Sequence, residues 1–306
     1  MTDVKASSAA DARPAGDPAP APQSTGVETP SGKGAGDENF PVGSFLLPKR
    51  LRPHIARFYA FARAIDDIAD NSETPADEKV ARLDRMDQAL LGKDDDPSLA
   101  TAHRIRESLR ETGVTVQHCR DLVTAFKGDA TKLRYESWDD LVFNYCRFSA
   151  SPVGRYLLDL HGEDKAGYVY SDDLCDALQV INHLQDCADD YKALDRVYLP
   201  GDWMAEAGIT VEALAAPAAS DGLRQVIDRC LDGTERLLDG ARRLPGALKS
   251  RRLAMESAAI VRIAEKLTKK LRAQDPIATR VALTKPQYLW CGLRGILDVA
   301  FGRRTD

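Results

Sequence analysis

Apolar side chains recur every three or four positions along most of the chain, from Asn39 to the C-terminus. This is the period of an amphipathic α-helix, whereas the two-residue alternation typical of half-buried strands is nearly absent. The pattern predicts an all-α fold of about seven to nine helices in one domain, residues 39–306. A bend is expected near Pro152, which removes a backbone hydrogen bond. The predicted helices cover residues 51–71, 75–91, 98–111, 115–128, 137–161, 171–192, 220–243, 249–273 and 285–302.

The helix predicted at 285–302 is apolar over much of its surface, and Arg303 and Arg304 follow it in the sequence. An apolar face beside basic residues is typical either of a helix packed on the core or of a helix that lies on a membrane surface. We predict core packing for this helix, and the membrane-surface helix is the alternative.

Composition separates the first 38 residues from the predicted domain. Residues 1–39 contain 25 Ala, Pro, Gly, Ser or Thr residues and no aromatic residue. A segment with so few large apolar side chains cannot bury enough surface to offset the entropy lost on folding. We therefore expect residues 1–38 to form a disordered tail.

Charge and cysteine content exclude several classes of function. The 306 residues carry a net charge of −5, so no basic surface suited to nucleic acid is expected. The six cysteines show no CxxC spacing and the five histidines form no cluster with them, which argues against a zinc site. Neither a signal peptide nor an apolar run long enough to span a bilayer occurs. We expect a cytoplasmic protein that contacts the inner membrane at most peripherally.

Two predicted helices carry matching polar stripes. In each, four polar side chains spaced three or four residues apart lie within an arc of about 60–80° beside an apolar face. The first stripe consists of Tyr59, Arg63, Asp66 and Asp70. The second consists of Gln179, Asn182, Asp186 and Asp190. A single such pair of aspartates is usually part of a solvated face, and this remains our interpretation of Asp67 and Asp189, which lie off the stripes.

The repeated stripe favours a metal site. Aspartates four residues apart repel each other on a helix, so both pairs require a positive counter-ion. Carboxylate and amide oxygens suit Mg²⁺ or Mn²⁺, which bind phosphate oxygens and stabilise the charge formed when a C–O bond to diphosphate ionises. The predicted metal ligands are Asp66, Asp70, Asp186, Asp190 and Asn182. Further cations are expected to converge on a diphosphate, and the candidates are Arg63, Lys132, Arg134 and Arg196.

Several ordered motifs resemble the squalene and phytoene synthase family. They are Asn39–Val42, Tyr59–Asp70, Tyr145–Arg155, Asn182–Asp190 and Arg196–Pro200. The Asn-Phe-Pro-Val and Ser-Pro-Val-Gly-Arg segments are, more narrowly, similar to the bacterial HpnC type of hopanoid biosynthesis. The similarity extends from about residue 38 to the C-terminus.

The resemblance implies a class I isoprenoid synthase bundle with a central cavity and with Mg²⁺ or Mn²⁺ on the four stripe aspartates. It implies that Tyr145 faces the reacting carbons. Enzymes of the HpnC type ionise presqualene diphosphate, rearrange the cation and quench it with water, so the implied activity is that of a carbon–oxygen lyase forming hydroxysqualene without NADPH. Other enzymes of hopanoid synthesis are implied partners. The implied substrate-binding residues are Tyr59, Arg63, Gln179, Asn182, Lys132, Arg134, Arg196 and Tyr198.

Two alternative functions stay open at this point. One is head-to-head condensation of farnesyl or geranylgeranyl diphosphate to presqualene diphosphate, squalene or phytoene. Gln185, where phytoene synthases usually have Arg, and the lack of a dinucleotide-binding fingerprint argue against it. The other is a non-catalytic protein that binds prenyl lipids, against which the four intact stripe aspartates argue.

Overall fold

A computed structural model describes residues 27–28 and 46–302 of the protein. These residues are predominantly helical, which confirms the predicted fold class. Helices α1 to α13 are, in order, Arg52–Asp70, Ala76–Leu90, Ala100–Thr112, Gln117–Thr131, Trp138–Leu141, Arg147–Ser149, Ser151–His161, Tyr168–Leu194, Gly201–Glu206, Asp221–Ala241, Leu244–Ala247, Arg251–Ala273 and Lys285–Ala300. A π-helical segment, Val142–Cys146, joins α5 to α6, and short 3-10 turns span Lys165–Gly167 and Val211–Ala215.

The predicted 137–161 helix is divided rather than bent. It consists of α5, the π-helical segment, α6 and α7, and the break lies at Ala150, whose φ of −117° departs from helical values. Pro152 lies in the first turn of α7, where its missing N–H costs no helical hydrogen bond. The proline therefore begins a new helix instead of bending an existing one.

A short strand pair was absent from the prediction, as was helix α9. Strand β1, Arg134–Tyr135, pairs in parallel with β2, Val197–Pro200, and Arg134 lies opposite Val197. Strands this short contain too few residues to show a two-residue alternation in the sequence. The pairing fixes the chain after α4 against the chain after α8.

Two hydrophobic clusters form the core. Helix α1 packs on α2, α3 and α4, and Phe61 and Ile65 are fully buried there. Helix α8 packs on α7, α10 and α12, and Ile181 and Leu231 are fully buried in this second cluster. Each predicted acidic stripe thus borders a different cluster.

Two residues of the predicted disordered tail are in contact with the domain. Val27 is buried in the α1 cluster, and the Glu28 carboxylate accepts hydrogen bonds from the Thr101 backbone N–H (2.7 Å) and hydroxyl (2.6 Å). Leu99, which precedes α3, supplies no side-chain cap, so Glu28 satisfies a free N–H at this helix N-terminus. The structure differs here from the predicted disorder. The rest of the tail and the Asn39–Val42 motif lie outside the described residues.

The last helix packs on the core through one face only. Cys291, Gly295 and Asp298 of α13 are buried, whereas its largest apolar side chains are exposed, so the core-packing prediction is wrong for that second face. Within residues 46–302, no helix is both long and apolar enough to cross a bilayer.

Candidate active site

Arg196 connects the ends of three structural elements. Its guanidinium donates to the Asp70 carboxylate, to the Ala69 carbonyl (2.9 Å) and to the Asp129 carbonyl (3.1 Å). The side chain is buried, and β1–β2 pairing places it between the C-terminal ends of α1 and α4. An arginine buried in this way is stabilised by its partners' negative charge and oxygen dipoles. The first acidic stripe is therefore anchored to the chain that follows the second.

Asp129 is a buried carboxylate that the sequence analysis missed. It accepts hydrogen bonds from the hydroxyls of Tyr145 (2.9 Å) and Tyr198 (3.1 Å). Burial raises its pKa to about 7, although Arg196 and both hydroxyls favour the charged form. In the sequence, Asp129 continues the apolar stripe of Leu122 and Phe126 on α4, and an acid at such a position is the signal that could have found it.

Aromatic rings cover this carboxylate. The rings of Tyr145 and Tyr198 have centroids 5.3 Å apart, and Tyr198 stacks on His183 at 3.6 Å. Burial and Arg196 lower the pKa of His183 to about 3, so its imidazole is neutral at pH 7. A ring nitrogen of His183 lies 3.2 Å from the Gln179 amide nitrogen, which links the aromatic cluster to the second stripe.

The first stripe contains more acid than base. Arg63 pairs with Asp66 (2.9 Å) and with Asp67 (3.0 Å). Desolvation and the Asp70 carboxylate raise the pKa of Asp66, and Arg63 only partly opposes them. Asp67 is buried, so its predicted place on a solvated face is wrong. Tyr59 lies one helical turn before Arg63 and is half-buried.

The second stripe has less counter-charge. Burial first, then the Asp186 and Asp70 carboxylates, raise the pKa of Asp190 to about 7. The influence of Asp70 shows that the two stripes lie within electrostatic reach of each other. Asp186 has Arg280 at 3.9 Å, and that arginine is 67% exposed. Asn182 is half-buried on the same helix, and Asp189 is exposed, as predicted.

The donor set fits a hard divalent cation. Acids outnumber bases within both stripes, and burial together with neighbouring carboxylates raises the pKa of Asp66 and of Asp190. Among the described residues, no three carboxylate, imidazole or thiolate side chains converge closely enough to hold a metal by themselves. Mg²⁺ commonly takes one or two protein carboxylates and completes its shell with water and substrate phosphates. The two separate aspartate pairs suit that mode of binding.

Comparison with known proteins adds to this geometry. The family model for squalene/phytoene synthase matches residues 34–287. The chain belongs to this family. The match includes both acidic stripes, Tyr145 and the Arg196–Pro200 segment.

Within the squalene/phytoene synthase family, the chain is similar to hydroxysqualene synthases. It is 42% identical to the Rhodopseudomonas palustris enzyme over 262 residues, covering 86% of this chain and 89% of the relative. It is 43% identical to the Zymomonas mobilis enzyme over 261 residues, covering 85% and 87%. Among solved structures, squalene synthase HpnC from Alicyclobacillus acidocaldarius has a TM-score of 0.66 at 32% identity, covering 76% of this chain and 87% of that one.

Two predicted phosphate-binding cations contact other aspartates. Lys132 pairs with Asp140 through Nζ at 2.6 and 2.7 Å, and Arg134 pairs with Asp195 at 2.6 Å. Both partners lie off the stripes, which differs from the predicted convergence. Arg63 and Arg196, in contrast, contact stripe aspartates directly.

Gln185, which stands where phytoene synthases usually have Arg, faces away from the second stripe. Its amide donates to the Val281 carbonyl at 2.5 Å, in the segment that precedes α13. The side chain is buried there. Its position indicates a role in fixing this segment to α8 rather than a contact with substrate.

Proposed function

We propose that the chain ionises presqualene diphosphate, rearranges the resulting cation and quenches it with water, forming hydroxysqualene and diphosphate. The observation that carries this proposal is the electrostatic coupling of Asp70 on α1 with Asp190 on α8, beside a buried aromatic cluster. The similarity to hydroxysqualene synthases over most of the chain supports the choice of substrate.

Asp66, Asp70, Asp186, Asp190 and Asn182 are the residues that would hold Mg²⁺. A bound divalent cation supplies Lewis-acid stabilisation of the departing diphosphate. The chain's own contribution is to hold the carboxylates in place before substrate arrives. Arg63 fixes Asp66, and Arg196 fixes Asp70 through a guanidinium that is itself held by two backbone carbonyls. This preorganisation lowers the cost of assembling the site at each turnover.

Tyr145 would stabilise the carbocation through its ring. Burial and the Asp129 charge raise the pKa of Tyr145 above its usual value, so the phenol stays protonated. A neutral ring offers a cation its π face, whereas a phenolate would attack the cation and become alkylated. The hydrogen bond to Asp129 occupies the hydroxyl proton and fixes the ring's orientation. Tyr198, bonded to the same carboxylate, supports that arrangement.

The direct test is incubation of the purified protein with presqualene diphosphate and Mg²⁺, followed by gas chromatography and mass spectrometry of the extract. Hydroxysqualene is the expected product, and its formation should require Mg²⁺ or Mn²⁺ but not NADPH. Recovery of unchanged substrate would overturn the proposal. A parallel reaction with farnesyl diphosphate alone tests the condensation reaction, and release of pyrophosphate there would favour a presqualene diphosphate or squalene synthase.

A further inference from the structure

Helix α13 exposes a continuous apolar face. Four large apolar side chains along it, and Phe301 directly after its last residue, have exposed fractions between 41% and 76%. They are Leu289, Trp290, Leu293, Leu297 and Phe301. On a helix these positions fall within an arc of about 120°, so they form one strip along the helix length. A strip of this kind indicates a contact surface, because monomeric proteins rarely leave large apolar side chains grouped in water.

The opposite face of α13 is already fixed to the domain. A Cβ at Gly295 would lie 2.5 Å from the Ala259 backbone nitrogen, so the backbones of α13 and α12 are in direct contact. The buried Asp298 accepts from Arg262 at 2.8 Å. The exposed strip therefore cannot be buried by rotating the helix onto the core without breaking this packing. Among residues 46–302, no rotation of α13 can therefore supply a partner for the strip while this packing is kept.

Basic side chains border the strip. Lys285 and Arg294 are exposed and lie on its two sides, at about −40° and +140° from Leu289 on the helical wheel. The only acid within α13 is Asp298, which is buried and paired with Arg262. Arg251, also exposed, donates to the Ala300 carbonyl at the end of the helix. The exposed charged side chains of α13 beside the strip, and Arg251 at its end, are therefore all positive.

We propose that α13 docks on the surface of an anionic phospholipid bilayer, with its axis in the membrane plane and its apolar strip among the acyl chains. Leucine, tryptophan and phenylalanine on one face, bordered by lysine and arginine, are the composition that binds such interfaces. Basic residues near an anionic membrane each add to the attraction. A surface-bound enzyme would also pass a water-insoluble product of the proposed reaction directly to the lipid phase.

A second copy of the chain fits this surface less well. A two-fold contact through α13 would bring the basic borders of both copies together, which is repulsive. Five large side chains are also far fewer than the roughly 20 residues per side of a stable protein interface. The positive charge and the narrow strip therefore favour lipid over a dimer.

Tryptophan fluorescence provides a direct readout of docking. Trp290 is 63% exposed, whereas Trp138 and Trp203 stack on each other at 5.6 Å elsewhere in the domain. We expect the full-length protein to float with vesicles of phosphatidylcholine and phosphatidylglycerol, with a blue shift in emission that Trp290→Phe removes. The double variant Leu289→Ser, Leu293→Ser should reduce the bound fraction at least about tenfold.

A matched control is Val169→Ser, which removes an equally exposed apolar side chain outside α13 and should leave flotation unchanged. Unchanged activity of the double variant on detergent-dispersed substrate would show that it folds. Absence of flotation, flotation unaffected by the double variant, or equal binding to phosphatidylcholine alone would each overturn the proposal. Self-association that the double variant abolishes, in the absence of vesicle binding, would assign the strip to a dimer instead.

Discussion

Helix α8 carries two aspartate pairs with the same four-residue spacing, but their surroundings differ. Asp172 and Asp176 face the chain's own bases. Asp172 accepts from Arg155 at 2.8 and 2.6 Å and from Arg147 at 3.2 Å. Asp176 accepts from the Ser151 hydroxyl at 2.7 Å, with Arg147 at 3.7 Å.

The second pair, Asp186 and Asp190, has more distant arginines: the nearest contact is Arg280 at 3.9 Å from Asp186. Arg280 near Asp186 is exposed, and Arg196, whose charge reaches Asp190, pairs with Asp70. Identical spacing on one helix thus produces a packing joint, in which Asp172 and Asp176 bind Arg155, Arg147 and Ser151, and an open pair, Asp186 and Asp190, that we propose as a metal site. We infer that the supply of arginines from neighbouring elements, rather than the aspartate spacing, determines which pair can bind an external cation.

The largest expected effect is on catalysis. Asp186→Asn or Asp190→Asn removes one carboxylate of the proposed metal site, and we expect kcat to fall by roughly 10²–10³-fold, as when a transition-state charge stabiliser is lost. Asp189→Asn, an exposed aspartate on the same helix, is the matched control and should change kcat by less than about threefold. Product assays with presqualene diphosphate measure kcat. If kcat fell equally in all three variants, the stripe aspartates would have no special role compared with an exposed aspartate.

The pH dependence of stability tests whether Asp176 of the first pair is protonated in the folded protein. Burial raises the pKa of Asp176 from 3.8 to about 7. Between about pH 4 and pH 7 the unfolded chain has lost this proton while the folded protein keeps it, so the free energy of unfolding falls as pH rises, by at most about 4 kcal/mol. The charged groups facing Asp176 are Arg147, Asp172 and Asp173, and Arg147 limits the effect.

Asp176→Asn cannot titrate, so urea unfolding of this variant should show a smaller loss of stability over that pH range than the wild type does. Other raised carboxylates, among them Asp129, remain in both proteins and cancel in the comparison. Parallel pH profiles for variant and wild type would show that Asp176 is ionised throughout the range.

Ligand-linked stability tests the open pair. Mg²⁺ with inorganic pyrophosphate should raise the free energy of unfolding of the wild type, by about 2.7 kcal/mol at a ligand concentration 100 times Kd. Asp186→Asn and Asp190→Asn should lose most of this gain, and Asp172→Asn should retain it. Thermal unfolding with and without the two ligands measures the difference. Equal gains in Asp186→Asn and the wild type would place the bound cation elsewhere.

Much of the fold followed from the sequence because helices have a local period. The spans of α1, α2, α10 and α12 were predicted to within about two residues. The two acidic stripes lie on helices α1 and α8, where helical spacing was expected. The partners of charged residues were not predictable in the same way. Arg196 contacts Asp70 across 126 residues, whereas Arg134 contacts Asp195, and only the path of the chain decides between such partners.

Other features of the structure were not predicted from the sequence, also for physical reasons. Asp129 and His183 lie at buried positions where sequence patterns predict apolar residues, so no polar stripe identifies them. An apolar helix such as α13 has the same sequence pattern whether it faces the core or a membrane. The Ser-Pro-Val-Gly-Arg segment was informative as a resemblance, yet its contacts are with Asp172 and Asp176 rather than with the candidate metal ligands.

The smallest expected effect is on the stability that the Asp172 contacts with Arg155 and Arg147 provide. Asp172→Asn keeps the shape of the side chain but removes the charge that Arg155 and Arg147 share, and we expect a loss of about 1–2 kcal/mol in the free energy of unfolding. The loss is limited because both arginines are partly exposed and regain water. Asp173→Asn, on the neighbouring position, is the control in the same urea titrations. Because Asp172 neutralises protein bases rather than a metal, the Mg²⁺ concentration required for half-maximal activity should stay unchanged, and an increase would show that the two aspartate pairs form one electrostatic unit.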